Sequence, residues 1–502
     1  MTEGLAAPPA TGERGSACAR RRAQALIGLL IALALVKLAI LVLLGPSFLP
    51  DSPGYLSFAD AILDHGRAFA PIPWGSEAAP NLVFRTAGYP LLLAGAKLLS
   101  PSHGAALVIL FQGALGLAAT AIVVRVAERL LGSTGAALSA GLVYGLSEAL
   151  LWDNSILPDS LYAALFIIVV FSLLGHAVGS WRLGLPRLVG LAVLWGYSIW
   201  TRDNGIYFTL FPLLICLWIA TARPRLERRR FGFAVAFLLV TAGMSSAYVA
   251  LNWYRTGGVF LGITGVENWL RPVFDMQRYG YARPFDGDSL VARTAREEMT
   301  GEDFGAQLRF LAVLHQRCRC TSPELQSLVL AEFLSAARRH PVAYLRVVWR
   351  NFNYLGLAEL VADPVTTVNL VSEFGTRLER RVIPGLSVRS LRALSRHFSA
   401  TDLLLVMVST LTAALAAVLF TLFLFGVPGF VLRALRGRET LSEPLAAVGF
   451  LWLTFLGVAG AFALVHLEAR HVLPILPAAV IGTIYVLQRL ARRHGLPAEL
   501  PA

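Results

Sequence analysis

Apolar runs of about 20 residues recur along this chain, the length at which an α-helix crosses the hydrocarbon core of a bilayer. Ten are read from the sequence: 24–45, 104–124, 135–152, 157–177, 187–200, 204–221, 231–252, 402–424, 444–465 and 472–489. Only 15% of the 502 residues are charged, against about a quarter in a soluble domain. The pattern predicts an all-α polytopic membrane protein. The first run is too long, and too poor in small residues at its end, for a cleaved signal peptide.

A net charge of +13 invites a nucleic-acid reading, but the arginines are distributed otherwise. They gather in alternate loops, at 20–22, at Arg125 and Arg129, at Arg182 and Arg187, and at 223–230, 433–438 and 489–493. Positive loops stay in the cytoplasm. Ten spans then place both termini inside, in the plasma (bacterial inner) membrane, and the basic balance is a topology signal rather than a nucleic-acid patch. The loop 46–103, the turns 153–159, 201–204 and 466–471, and the segment 254–401 emerge on the outer side. No nucleotide sugar or ATP pool exists there, so a glycosyl or phosphoryl donor would arrive on a lipid.

The expected organisation follows. Residues 1–23 are a polar, disordered cytoplasmic tail. Residues 24–253 form an N-terminal transmembrane catalytic module, 254–401 an outer segment, 402–490 the C-terminal transmembrane helices, and 491–502 a second cytoplasmic tail. In the first outer loop, Ser52 suits a helix cap and Pro53 a first turn. Leu56, Ala59, Ile62 and Leu63 make one apolar face, expected to lie on the membrane. Residues 70–83 read as an irregular crossing, and 88–99 as a second short helix. The outer segment predicts helices over 324–339 and 342–355, broken at His340-Pro341, with Tyr344, Val347, Val348 and Phe352 on one side of the second. Cys318 and Cys320 leave two readings, free thiols or a labile disulfide.

The residues suited to chemistry sit at the outer ends of the spans. Asp51 and Tyr55 follow the first span, and Arg85-Thr86-Ala87-Gly88-Tyr89-Pro90 opens the second short helix. A carboxylate at a membrane rim can serve as a base, or be a plain helix-flanking acid. Asp159 opens the fourth span, where the helix dipole alone favours an acid by about 0.3–1 kcal/mol. Arg202 sits in the turn between the fifth and sixth spans. Arg470 and His471 sit in the last outer turn. Such dense charge at a rim pairs internally or with a substrate phosphate. Lys37 and Glu148 lie inside spans and receive no chemical role. There is no glycine-rich phosphate loop, His-Glu-x-x-His or Gly-x-Ser-x-Gly in the chain.

In order along the chain stand Asp51 with Tyr55, the run from Arg85 to Leu93, Asp159 before Leu161-Tyr162, Thr201-Arg202, and Arg470 ahead of Pro474 and Pro477. This order resembles the GT-C membrane glycosyltransferases, in particular the protein mannosyltransferase and aminoarabinose transferase group. His340-Pro341 before Tyr344-Leu345 also resembles the interfacial helix of bacterial members. The resemblance implies a GT-C-like bundle, a polyprenyl-phosphate sugar donor, a glycan, lipid or protein acceptor outside the membrane, and inversion at the anomeric carbon. Asp51 would be general base or acceptor-positioning acid and Asp159 the second acid. Arg85, Arg202 and Arg470 would take the donor phosphate, with Tyr55, Tyr89 and His471 as acceptor-side or positioning residues. The chain departs from the pattern at Thr86-Ala87, where prolines are usual, and at Asp203, which replaces the proline of Thr-Arg-Pro. Ser52 stands where some members carry a second acid, so no metal site or cofactor is assigned. A divalent cation has no support in the sequence. A flippase or transporter of lipid-linked sugars is the non-enzymatic alternative, and a surface-polysaccharide ligase or polymerase the enzymatic one.

Reporter fusions after Arg230 and Arg438 are expected to read as cytoplasmic, and fusions within 256–400 as external. A cytoplasmic signal from 256–400 would invert the assignment.

Overall fold

The computed structural model describes residues 11–49, 51–71, 85–221, 228–262, 265–298, 304–354, 400–465 and 469–495. These are helical, without a β-strand; one isolated bridge joins Ser47 to Ser155. The first helix, α1 (Thr11–Leu44), begins inside the stretch expected to be a disordered tail. Two short helices follow in the first loop, α2 (Ser52–Leu63) and α3 (Gly88–Leu99). Then come α4 (Gly104–Leu131), α5 (Thr134–Gly145), α6 (Ala149–Asp153), α7 (Pro158–Ala177) and α8 (Leu185–Thr201). After the turn at 202–204 run α9 (Gly205–Phe208), α10 (Leu210–Thr221) and α11 (Arg228–Thr256). The next segment carries α12 (Gly265–Arg278), α13 (Leu290–Glu298), α14 (Phe304–Cys318), α15 (Ser322–Arg339) and α16 (Pro341–Tyr354). The chain closes with α17 (Ala400–Leu435), α18 (Glu443–Ala463), α19 (Ala469–Val472) and α20 (Leu476–Arg493).

Among the described residues, seven helices are long and apolar enough to cross a membrane. The other three expected spans are shorter or broken, for local reasons. The run 135–152 divides into α5 and α6 because Ser147 turns its hydroxyl back onto the Tyr144 carbonyl at 2.6 Å and also accepts from the Ala149 amide at 3.3 Å. Such a side chain competes with the helix for its own backbone. The run 204–221 divides at Thr209, and Pro212, which lacks an amide proton, lies in the first turn of α10. The span at 187–200 is α8, 17 residues long.

Helix α7 is apolar on every side, and such a helix belongs at the centre of a bundle. Its residues from Pro158 to Gly175 are all buried, and α4, α8 and α10 pack around it. Helix α20 closes the bundle against α17, α18 and α5. By contrast α1 leaves Ile31, Leu35, Leu38 and Val42 exposed, a surface suited to lipid rather than water.

The α2 face differs from the expected one. The buried side is Tyr55, Phe58, Ala59 and Ala61, while Leu63 is exposed. Tyr55 and Ala59 join the bundle core, whereas Phe58 and Ala61 join a second core built from Leu270, Val273, Phe310, Val329 and Phe333 of the later helices. The aromatic side chains therefore wedge α2 between two protein cores, and its apolar face is not free for a membrane surface. In that second unit α15 starts with a capping box between Thr321 and Glu324. Cys318 and Cys320 are joined by a disulfide. Helix α16 is docked on the end of α18, Tyr344 donating to the Leu464 carbonyl at 2.8 Å and Asn351 to that of Ala463 at 3.1 Å. Val347 is buried, and Val348 and Phe352 pack against the bundle, as their spacing predicts.

Helix α3 meets the end of α8 in backbone contact at Gly88. A Cβ there would lie 2.5 Å from the Trp200 carbonyl carbon and 2.7 Å from the Thr201 nitrogen. Backbone cannot rotate out of the way as a side chain can. Gly88→Ala is therefore expected to destabilise the protein by about 1–3 kcal/mol, the usual range for overpacking. Gly95, on the same helix with open space at its Cβ, gives the control: Gly95→Ala should leave the thermal unfolding midpoint unchanged or slightly raised.

Candidate active site

Two backbone seams bring the site together. The first joins the loop after α1 to the turn between α6 and α7. The Ser47 amide donates to the Asn154 carbonyl and the Ile156 amide to the Ser47 carbonyl, each at 2.9 Å. The Asn154 side chain donates to the Gly45 carbonyl at 2.7 Å. Ser52, rather than capping α2, donates to the Ile156 carbonyl at 3.0 Å while accepting from the Leu49 amide at 2.8 Å. Asp51 is thereby held beside the start of α7, where Asp159 follows Pro158. The second seam joins the segment before α3 to the end of α8. Thr86 donates to the Thr201 carbonyl at 2.9 Å, Tyr197 to that of Gly88 at 2.9 Å, and the Ala87 amide to the Tyr248 hydroxyl at 2.8 Å. Arg85 is thereby held beside the turn that carries Arg202.

The charged side chains meet between these seams. Arg85 Nη2 donates to Asp51 Oδ1 at 2.8 Å, and Arg470 Nη1 to Asp51 Oδ2 at 3.2 Å. Arg202 Nη1 donates to Asp159 Oδ1, which also lies 3.8 Å from Arg470 Nε. Arg470, from α19, thus reaches both acids. Asp203 turns elsewhere, its carboxylate lying against Gly262. The five residues comprise three cations and two anions, an arrangement that can take up further negative charge.

Burial separates the two acids. The Asp159 side chain is 2% exposed and that of Asp51 27%, so of the two only Asp51 is open to an incoming group. Tyr55 backs the cluster: its hydroxyl accepts from Arg85 Nη1 at 3.2 Å, and the guanidinium carbon lies 4.8 Å from its ring centre. Burial pushes the Tyr55 hydroxyl up, against the opposing pull of Arg85 and Arg202, so it stays neutral. For Arg85, burial works to lower the pKa, but the facing Tyr55 and Asp51 outweigh it and raise it above the ordinary arginine value. Its positive charge is fixed at any working pH.

Tyr89 and His471 stand one layer back. Tyr89 meets Tyr55 edge to face at 5.4 Å, but its hydroxyl donates to Gln112 at 2.8 Å and it is fully buried. It props Tyr55, and its hydroxyl is committed away from the charges. His471 stacks on Phe462 at 4.4 Å and is buried. Pro50, His466, Leu467, Glu468 and, of the irregular crossing expected at 70–83, all but its first two residues lie outside the described residues. Among the described residues no three His, Cys, Asp or Glu side chains converge as a metal-ligand set.

Sequence reasoning missed the layer beneath. Gln112 accepts from Tyr89 and donates to the Asp153 and Ser155 carbonyls, each at 3.1 Å. The Asp153 carboxylate takes Ser160 on one oxygen and Lys37 on the other. Gly116 gives this pair its room, since a Cβ there would fall 2.8 Å from the Asp153 carboxylate. The network reaches Asp159 through its neighbour Ser160 and Tyr55 through Tyr89. A lone glutamine and a lone lysine inside apolar runs were the available signal.

Compared with known proteins, the chain matches no family model and no curated protein. Among solved structures it is similar to the oligosaccharyltransferase of Archaeoglobus fulgidus in complex with zinc and sulfate, with 14% identity, 93% of this chain and 50% of that one covered, and a TM-score of 0.46. It is also similar to ArnT from Cupriavidus metallidurans bound to undecaprenyl phosphate, with 15% identity, 95% and 81% covered, and a TM-score of 0.33. The chain spans about half the length of the oligosaccharyltransferase.

Lys37 and Asp153 are 11% and 9% exposed, so breaking the pair strands a charge. Lys37→Met is expected to cost about 3–5 kcal/mol, whereas Lys37→Met with Asp153→Asn, which removes both charges, should recover most of it. Unfolding in detergent titrations measures both. Equal stability of the single variant and the wild type would mean that the pair carries no weight.

Proposed function

We propose that this protein is a glycosyltransferase that moves a sugar from a polyprenyl-phosphate carrier to an acceptor at the outer face of the plasma membrane, with inversion. One observation carries the reading: a half-exposed carboxylate, Asp51, held by Arg85 and Arg470 beside a buried Asp159 that holds Arg202. Asp51 takes the proton from the acceptor hydroxyl or amine. The freed lone pair attacks the anomeric carbon, and the bond from that carbon to the phosphate oxygen breaks. The phosphate leaves with the electron pair, and Arg85, Arg202 and Arg470 stabilise the charge that develops on it. Fixed cations in a water-poor rim do this better than water that must reorient. Asp159 keeps Arg202 and Arg470 in place.

On this reading residues 24–253 are the catalytic module, 254–401 an outer segment over it, 402–490 the helices that deliver Arg470, and 1–23 and 491–502 cytoplasmic ends. The acceptor is a glycan, lipid or protein. Tyr55 and His471 position the charges rather than react. A transporter would need polar groups along the whole depth of the bundle, whereas the five-residue cluster joins the ends of its elements.

Incubation of the purified protein with defined polyprenyl-phosphate sugars, following loss of the donor, tests the reading directly. Asp51→Asn keeps shape and hydrogen bonding but removes the base, and should reduce transfer about 10²–10⁴-fold. Near-normal turnover in that variant would place the base elsewhere. At Arg85, donor affinity should fall in the order Arg, Lys, Ala, because lysine lacks the planar fork. Truncation to Ala should cost roughly 2–5 kcal/mol. Equal donor binding by the three proteins would return Arg85 to a structural role.

A further inference from the structure

The guanidinium groups that would grip a phosphate already have partners. Asp51 carries Arg85 on one oxygen at 2.8 Å and Arg470 on the other at 3.2 Å. An N–H aimed at a carboxylate is not aimed at a phosphate. A phosphate brought within reach of the same arginines also meets the Asp51 carboxylate, a like charge in a half-buried place where screening is weak. Conversely, a carboxylate with a guanidinium on each oxygen is poorly placed to receive an acceptor proton. The two demands, grip on the phosphate and freedom of the base, oppose each other in the paired arrangement.

We propose that Asp51 is an internal competitor of the substrate phosphate for Arg85 and Arg470, so that phosphate binding releases Asp51 to act as the base. The inference rests on the glycosyltransferase reading above and adds an order to it: the phosphate-bearing lipid binds before the acceptor. The exchange belongs to Asp51 rather than Asp159. Asp51 is the exposed acid of the two, whereas Asp159 is 2% exposed and holds Arg202 from within the bundle. Arg470 can swing from one acid toward the phosphate while its Nε stays within 3.8 Å of the other. Tyr55 keeps a hydrogen bond to Arg85 during the change, through the nitrogen that Asp51 does not use.

The test is binding, measured on the full chain in nanodiscs with undecaprenyl phosphate, with neutral undecaprenol and with inorganic phosphate. Asp51→Asn is expected to bind undecaprenyl phosphate roughly tenfold more tightly than the wild type, because one like charge is gone and Arg85 and Arg470 no longer answer to it. Arg85→Ala is expected to bind it more weakly. The same gain with inorganic phosphate assigns the competition to the phosphate alone; a gain with the lipid only assigns it to a lipid-borne headgroup. If phosphate-dependent binding is present but unchanged or weaker in Asp51→Asn, the exchange is overturned while the phosphate reading stands. If undecaprenol binds as tightly as undecaprenyl phosphate in every variant, the phosphate reading fails and the exchange with it. A second measurement uses the wild type: carbodiimide labelling of Asp51, followed by mass spectrometry, should rise on saturation with undecaprenyl phosphate. Unchanged or reduced labelling would contradict release.

Discussion

The site depends on one side chain that reaches two acids. Arg470 lies at 3.2 Å from Asp51 and at 3.8 Å from Asp159. The three residues come from the loop after α1, the start of α7 and the short helix before α20. Remove Arg470 and each acid keeps one arginine, Arg85 on Asp51 and Arg202 on Asp159, but the side-chain bridge between the two acids is lost. Apolar contacts fix packing without selecting a direction, whereas the guanidinium N–H aimed at Asp51 does. Burial also separates the two acids, Asp159 enclosed and Asp51 partly open; on the proposed reading the first orients the cations and the second meets the substrate.

The pair beneath the site follows the same economy of charge. A lysine in a membrane helix costs roughly 2.5–3.5 kcal/mol on insertion scales, and a buried ion pair rarely returns more than its desolvation penalty. Lys37 and Asp153 therefore add little net stability by being paired. Their placement has a different consequence. Asp153 fixes Ser160 beside Asp159, and through its carbonyl and Gln112 it fixes Tyr89 behind Tyr55. Polar groups inside a low-dielectric bundle are costly to leave unmatched, so each member of this chain has few alternative positions. That stiffness is passed to the residues above.

Much of this was legible in the sequence, and what was not has a physical reason. The bundle was legible because a bilayer-length apolar run has few other uses, and the acids and arginines because they sit where runs end. Both short helices of the first loop fell where Pro53 and the Gly88 run place them. The breaks at Ser147 and Thr209 were missed because hydropathy is blind to a hydroxyl turning back on its own backbone, as at Ser147, and to a proline in the next turn, as Pro212 after Thr209. The α2 face was read from aliphatic residues, whereas the aromatic rings of Tyr55 and Phe58 decide which side is buried. Tyr89 reads from sequence as an acceptor-side or positioning residue, and sequence does not say which, since a tyrosine on a short helix can serve either side; its hydroxyl donates to Gln112 and its ring meets Tyr55. The Lys37 partner lies 116 residues away, a distance over which periodicity carries no information.

The backbone seams explain why charges so close together can remain exchangeable. If the ion pairs themselves held the loops in place, freeing Asp51 from its arginines would loosen the site at the moment of reaction. Instead the positions of Asp51 and Arg85 are set by hydrogen bonds at 2.7–3.0 Å, each with a main-chain group on at least one side, to the 154–156 turn and to the end of α8. Gly88 sets the second of these seams by letting two backbones touch. Hydrogen bonds of this kind are strong where water is scarce, and none of them involves a charged side chain. The side-chain charges are then free to change partners by rotating on a fixed frame. Catalysis by preorganised charge requires that the cations need not be assembled when the bond breaks. On the proposed reading assembly is the work of the two seams, and the arginines are left to answer to whichever anion is present.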